Sequence, residues 1–157
     1  MLELASFKVL PFDPSHQEGV LDLAEDILCV EYKVQSDLSG DQDLRNIPAT
    51  YAPPGSRFLV TVASGEVVGS GGILRLSERD CELRRLYVLA EHRRRGIAAA
   101  MMGVLLPFVR ERGYKRILLE IRPEMEEDIR HYARFGFVHL TDMDALPRRG
   151  AFMAIRL

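Results

Sequence analysis

The densest group of side chains able to do chemistry is Glu91-His92-Arg93-Arg94-Arg95-Gly96-Ile97-Ala98-Ala99-Ala100, which joins a β-forming segment to one with helical periodicity. A helix start presents unpaired backbone N–H groups and a partial positive charge, and a glycine among small neighbours lets a bulky anion approach the backbone. Three arginines add donors. This suits a diphosphate, yet the spacing matches neither the three-glycine dinucleotide fingerprint nor the Gly-Lys-Ser/Thr of a P-loop. A basic turn of this kind is also what a solvated surface loop looks like, so the neighbouring residues must decide.

Other chemically suggestive residues lead less far. Val68-Gly69-Ser70-Gly71-Gly72 is glycine-rich, but no helix follows it, and glycines within a strand mark bulges or close backbone approach. The histidines His16, His92, His131 and His139 lack metal-ligand spacing, so no metal site is expected, and His92 and His131 read as surface residues. Cys29 and Cys81 are far apart with no third thiol, which argues against a disulfide framework or a cysteine zinc site.

The elements that would position the turn follow from apolar periodicity and from Gly and Pro. Residues 2–10 predict a first strand, and Pro14 to Val30 an amphipathic helix. Residues 36–56 are polar and broken by prolines and glycines; they read as a mobile or substrate-facing segment with a short helix around Asp41–Asn46. Arg57–Ala63 and Val67–Leu76 predict a hairpin about Ser64-Gly65-Glu66, followed by a strand from Cys81 to Val88. A helix is expected from Arg94 to Arg112, kinked at Pro107 and ended by Gly113. Then come a strand Lys115–Ile121, a helix Glu124–Phe135 with an acidic start and a basic end, and strands at Phe137–Leu140 and Ala151–Leu157. This order predicts one α+β domain with a central mixed, mostly antiparallel sheet of about six to seven strands, flanked by about four helices.

Bulk properties narrow the classes of function. The chain has 157 residues, 47% hydrophobic and 28% charged, enough for a sizeable core and too apolar for disorder. Its formal net charge of −2 offers no global field for a nucleic-acid backbone, so any basic site is local. The start Met1-Leu2-Glu3-Leu4 lacks the cationic opening of an export signal, and no apolar run approaches the roughly 20 residues of a membrane span. A reducing cytoplasm is the expected compartment.

Three stretches together resemble the GNAT superfamily of acetyl-coenzyme-A-dependent N-acyltransferases: Cys81-Glu82-Leu83-Arg84-Arg85-Leu86-Tyr87-Val88, then Arg93-Arg94-Arg95-Gly96-Ile97-Ala98, then Tyr132-Ala133-Arg134-Phe135-Gly136-Phe137. The likeness includes element order and covers most of the chain from Arg57 to Leu157. Arg93, Gly96 and Ala98 meet the family's arginine/glycine pattern. By that resemblance the amides from Arg94 through Arg95, Gly96, Ile97 and Ala98 to Ala99 would cradle the pyrophosphate of acetyl-coenzyme A. Leu86, Tyr87 and Val88 would offer open strand backbone to the pantetheine arm, with the Val88 N–H facing the thioester oxygen as an oxyanion donor.

Tyr132 matches the family's tyrosine near the coenzyme sulfur. A thiol titrates near 8.5 and a phenol near 10, so at pH 7 a protonated Tyr132 can hand a proton to the departing thiolate; the plain alternative is a tyrosine packed beneath its helix. Glu82 is the candidate base, directly or through water, because simple alternation puts it on one face with Arg84, Leu86 and Val88. An ion pair with a neighbouring arginine is the alternative there. Many family members carry Asn, Ala and Leu where this chain has Met125, Asp128 and His131, so the usual side-chain contact from Asn to the coenzyme is missing.

The resemblance implies an N-acetyltransferase in which a small-molecule or amino-acid-like amine attacks the thioester directly. Cys81 and Cys29 have no adjacent base in sequence, which disfavours an acyl-cysteine route. The alternative is a non-catalytic module that holds an acyl-coenzyme A as sensor or scaffold; nucleic-acid binding through Arg93–Arg95 fits poorly with the acidic total. Arg45 or Tyr51 are candidate acceptor anchors, against a simple loop-surface role. A homodimer through the late strands is compatible with the sequence.

Overall fold

The computed structural model describes residues 6–31, 42–122, 128–141, 146–148 and 150–157. Strand β1 (Phe7–Pro11) lies antiparallel to β2 (Arg57–Ala63), which forms a hairpin with β3 (Glu66–Arg75). Ser64 and Gly65 at its tip have φ of 51° and 78°, the left-handed pair whose twist matches a tight hairpin. Strand β3 pairs antiparallel with β4 (Asp80–Val88), and β4 pairs parallel with β5 (Arg116–Ile121). That one parallel pair needs a crossover, supplied by helix α4 (Ile97–Glu111). Strands β6 (Val138–His139) and β7 (Ala151–Arg156) complete a seven-stranded mixed sheet in the order β1-β2-β3-β4-β5-β7-β6. The α+β class and the mostly antiparallel sheet agree with the sequence expectation.

Helices α1 (Gln17–Glu25), α2 (Gln42–Arg45) and α3 (Ile47–Thr50) cover one face, where Val20, Ala24, Leu44, Ile47 and Tyr51 pack on Phe58 and Val60. The other face carries α4 and α5 (Ile129–Arg134), with Met101, Leu105, Val109 and Tyr132 packed against Leu59, Leu83, Ile117 and Met153. Gly69 and Gly71 let α4 lie close to β3: a Cβ on Gly69 would stand 3.2 Å from Ile97 Cγ2, and one on Gly71 3.8 Å from Met101 Sδ. The glycine run thus marks close approach, as its place in a strand suggested.

Four expectations change. The first helix enters through a single turn at Pro14–His16 and widens to π-helical winding over Asp26–Glu31. Helix α4 starts at Ile97 instead of Arg94, because Arg94 (φ 63°) and Gly96 (φ 81°) are left-handed and cannot continue a right-handed helix. The described part of the 36–56 segment is packed, with Leu44, Ile47 and Tyr51 buried. The strand expected over Phe137–Leu140 shortens to Val138–His139. The helix end at Gly113 (φ 79°) is as expected, and α4 runs on through Pro107. The acidic start expected at Glu124, Glu126 and Glu127, together with Met125, lies outside the described residues, as does Arg149. Among the described residues no helix is long and apolar enough to cross a membrane.

Candidate active site

Strands β4 and β5 pair only from Asp80–Arg116 to Glu82–Leu118 and then part. Beyond that point the β5-facing edge of β4 is open, as a cleft for an extended ligand requires. The register of β3 on β4 slips between Ser70–Tyr87 and Gly72–Arg84, so β4 carries an extra residue there. Arg85 sits in this bulge at φ 58°, and Ser70 Oγ donates to its carbonyl at 2.7 Å. A bulge inverts the alternation of a strand. Cys81 and Leu83 face α4, and after the bulge so do Leu86 and Val88, whereas Tyr87 faces the α1–α3 side. The expectation that Glu82 shares a face with Leu86 and Val88 therefore fails.

The bulge also sets the backbone. Leu89 N–H donates to Val68 O at 2.9 Å, which makes the Gly69–Val88 pair the non-hydrogen-bonded kind. The N–H and C=O of Val88 consequently point away from β3, toward the side where β5 has diverged. The Val88 carbonyl accepts from Arg93 Nε at 3.1 Å, which ties the strand end to the basic turn.

In that turn Gly96 precedes Ile97 with no side-chain cap, and the first amide bonded into the helix is that of Ala100, to Gly96 O at 2.9 Å. The N–H groups of Ile97, Ala98 and Ala99 are the helix's orphan donors. A Cβ built on Gly96 would meet nothing within 4 Å, so its approach is open. These donors, the helix dipole and the exposed Arg94 and Arg95 fit the pyrophosphate of a coenzyme. Arg93 folds back in an ion pair with Glu31 and braces the turn.

Tyr132 is buried at 5% exposure, its ring edge-on to Phe137 at 6.2 Å. Burial, then the charge of Asp128 and the nearby Tyr87, push its phenol above the ordinary range, so the hydroxyl stays protonated at neutral pH. Glu82 is 1% exposed and engaged by Arg148, which donates to Oε1 at 3.2 Å and Oε2 at 2.5 Å, and to Glu120 Oε2 at 2.8 Å. The ion-pair alternative for Glu82 is thus present, with an arginine from the β6–β7 loop as partner. Sequence reasoning placed no site residue in the stretch Pro147-Arg148-Arg149-Gly150 between the two late strands; its one signal was a pair of arginines in a chain whose β4 and β5 each carry one glutamate, Glu82 and Glu120.

Tyr51 is unavailable as an acceptor anchor, because it is buried and its hydroxyl donates to Asp43 Oδ2 at 2.8 Å. His131 is exposed and His92 half-buried. Burial, with the adjacent Asp80 charge, pushes the Cys81 thiol up to about 12, which leaves it a poor nucleophile. Among the described residues no group of three or more His, Cys, Asp or Glu could hold a metal ion.

The parting strands, the bulge at their edge and the uncapped helix start together leave an open cleft in the sheet. Residues 21–137 match the family model described as the acetyltransferase (GNAT) family, and the chain belongs to that family. It is 38% identical over 103 residues to the uncharacterized N-acetyltransferase YjgM of Escherichia coli K12, a match covering 64% of this chain and 62% of that protein. The chain thus spans under two thirds of that relative. An acetyltransferase of the GNAT family from Staphylococcus aureus Mu50 superposes with a TM-score of 0.89 at 19% identity, covering 96% of this chain and 99% of that one. The PaiA N-acetyltransferase of Thermoplasma acidophilum, solved with coenzyme A, gives 0.77 at 15% identity over 97% and 99%.

Proposed function

We propose that this chain is an N-acetyltransferase that moves the acetyl group of acetyl-coenzyme A directly to a primary amine of a small-molecule or amino-acid-like acceptor. The observation that carries the proposal is the uncapped start of α4, with Gly96 left-handed and open, at the end of the strand edge that β5 abandons. Amides 97–99 hold the diphosphate there, with Arg94 and Arg95 adding charge. The open edge at Leu86–Val88 pairs with the pantetheine arm, and the Val88 N–H donates to the thioester oxygen as it gains charge.

The amine nitrogen forms a bond to the thioester carbon, the carbon–sulfur bond breaks, and Tyr132 gives its proton to the leaving thiolate. An alkylamine near pKa 10.4 is free base in only about one molecule per thousand or so at pH 7. Glu82 lies six residues before Val88 on β4, roughly 15–20 Å at the rise of a strand, so it takes the acceptor's proton through water, and Arg148 must release one of its oxygens for this. Tyr132→Phe is expected to lower kcat about 100-fold while KM for acetyl-coenzyme A stays within about threefold.

Thiol release from acetyl-coenzyme A over a panel of amines, amino acids and peptides tests the proposal; small amines should release thiol faster than peptides. Because Arg148 occupies both oxygens of Glu82, a second function is favoured by a specific contact: an acyl-coenzyme A sensor or scaffold without turnover. Saturable coenzyme binding with no thiol release against any amine would support it.

A further inference from the structure

Arg85 is an unusual choice for its position. A left-handed bulge residue is adopted without strain by glycine, whereas arginine pays for the same φ through its Cβ. Its side chain therefore needs a reason to be there. The bulge turns it toward the α1–α3 face, where Nε donates to Asp43 Oδ2 at 3.0 Å and Nη2 to Oδ1 at 2.7 Å. Asp43 belongs to α2, and the pair is almost dry, with side-chain exposures of 10% and 7%. Tyr51, at the end of α3, donates its hydroxyl to the same carboxylate. Nη1 of Arg85 reaches the Tyr87 hydroxyl at 3.3 Å, on the far side of the bulge. One guanidinium thus spans the bulge, residue 85 to residue 87, and fastens it to α2, whose Asp43 also holds Tyr51 just past α3.

The main chain is fixed at the same place, since the Arg85 carbonyl is held by Ser70 Oγ. What the bulge delivers is the phase of the next three residues: Leu86 and Val88 toward α4, and the Val88 N–H toward the open cleft. If the strand ran without the extra residue, Val88 would turn to the opposite face and its N–H toward β3.

We infer that the Asp43–Arg85 pair is a positioning device for the thioester: a carboxylate on α2 holds the β4 bulge that aims Val88 N–H into the cleft. Neither residue touches the reacting atoms. The inference rests on the acetyltransferase proposal and adds residues outside the coenzyme cradle to it. It also gives α2 and α3 a task beyond covering the sheet.

The test uses the whole chain. Arg85→Gly alone keeps the left-handed backbone but leaves a buried carboxylate unpaired, so it is paired with Asp43→Asn, and Arg85→Lys serves as the conservative variant. A cooperative melt establishes that each is folded. The double variant is expected to weaken coenzyme A binding, titrated by calorimetry, by no more than about fivefold, because the diphosphate cradle is untouched and only the pantetheine pairing at Leu86–Val88 is loosened. Its turnover on the best amine of the thiol-release panel should fall about 10- to 100-fold, the cost of a misaimed donor. In wild type the Val88 amide proton should shift when acetyl-coenzyme A replaces coenzyme A, and this shift should vanish in the double variant and partly return in Arg85→Lys.

A folded double variant that keeps its turnover and its Val88 shift would overturn the inference. So would parallel losses of coenzyme A affinity and turnover, which would mark a purely structural pair. Failure of wild type to bind coenzyme A is a separate result, and it brings down the acetyltransferase proposal on which the inference stands.

Discussion

Two of the arginine–carboxylate pairs on the side of the sheet away from α4 differ in what surrounds them. Arg85 and Asp43 join a strand to a helix, and both are nearly sealed from water. Arg148 and Glu82 join a loop to a strand; the glutamate is buried at 2% side-chain exposure, but the arginine keeps 38%. The same chemical pair is thus a fixed strut in one place and a releasable fastening in the other. The difference matches the tasks proposed for them. A bulge that aims a backbone amide must not move, whereas a carboxylate that accepts a proton must be able to lose its partner.

Truncation separates the two pairs most widely. Asp43→Ala leaves Arg85 as an uncompensated buried charge and is expected to cost about 3–5 kcal/mol in urea unfolding. Arg148→Ala opens Glu82 to water that can take the guanidinium's place, and about 1 kcal/mol is expected in the same measurement. Equal losses would mean that the two pairs are alike. Salt should sharpen the contrast: at about 1 M NaCl the Arg148→Ala loss shrinks, while the Asp43→Ala loss persists, because buried charges are poorly screened.

Acid gives a smaller effect with a defined sign. Burial pushes the Asp43 carboxyl up, but the hydrogen bond and charge of Arg85 outweigh it, with Tyr51 helping, and the group lies below its ordinary 3.8. A depressed carboxyl lends stability that is full above the unfolded value and is lost as pH falls through the folded one. Wild type should therefore lose stability below about pH 3.8 more steeply than Asp43→Asn in acid unfolding curves. Smallest of all, Thr61→Val should gain about 1 kcal/mol, since the Thr61 hydroxyl is buried without a partner among the described residues.

Much of this molecule was legible before its coordinates. The basic turn was visible because residue type alone carries its chemistry: glycine for φ, small residues for access, arginine for charge. The sheet followed from β-branched runs and turn residues, and the parallel crossover from a long amphipathic helix. What stayed hidden depended on contacts distant in sequence. Arg148 and Glu82 are 66 positions apart, and Asp43 and Arg85 are 42 apart. The bulge was invisible for a different reason, since a left-handed arginine carries no glycine to announce it. Its cost was the error in the face assigned to Glu82. Helices α2 and α3 span four residues each, too short to hold by propensity, and exist because Leu44, Ile47 and Tyr51 are buried.

The measurement that bears most directly on the central claim is calorimetric titration of the folded chain with acetyl-coenzyme A, alongside Gly96→Val. Wild type is expected to show one saturable site per chain and the variant an affinity at least about tenfold weaker, because its Cβ would stand in the left-handed cradle of the diphosphate. A wild-type chain that melts cooperatively and gives no binding heat would contradict it, as would a Gly96→Val chain that binds acetyl-coenzyme A as tightly as wild type.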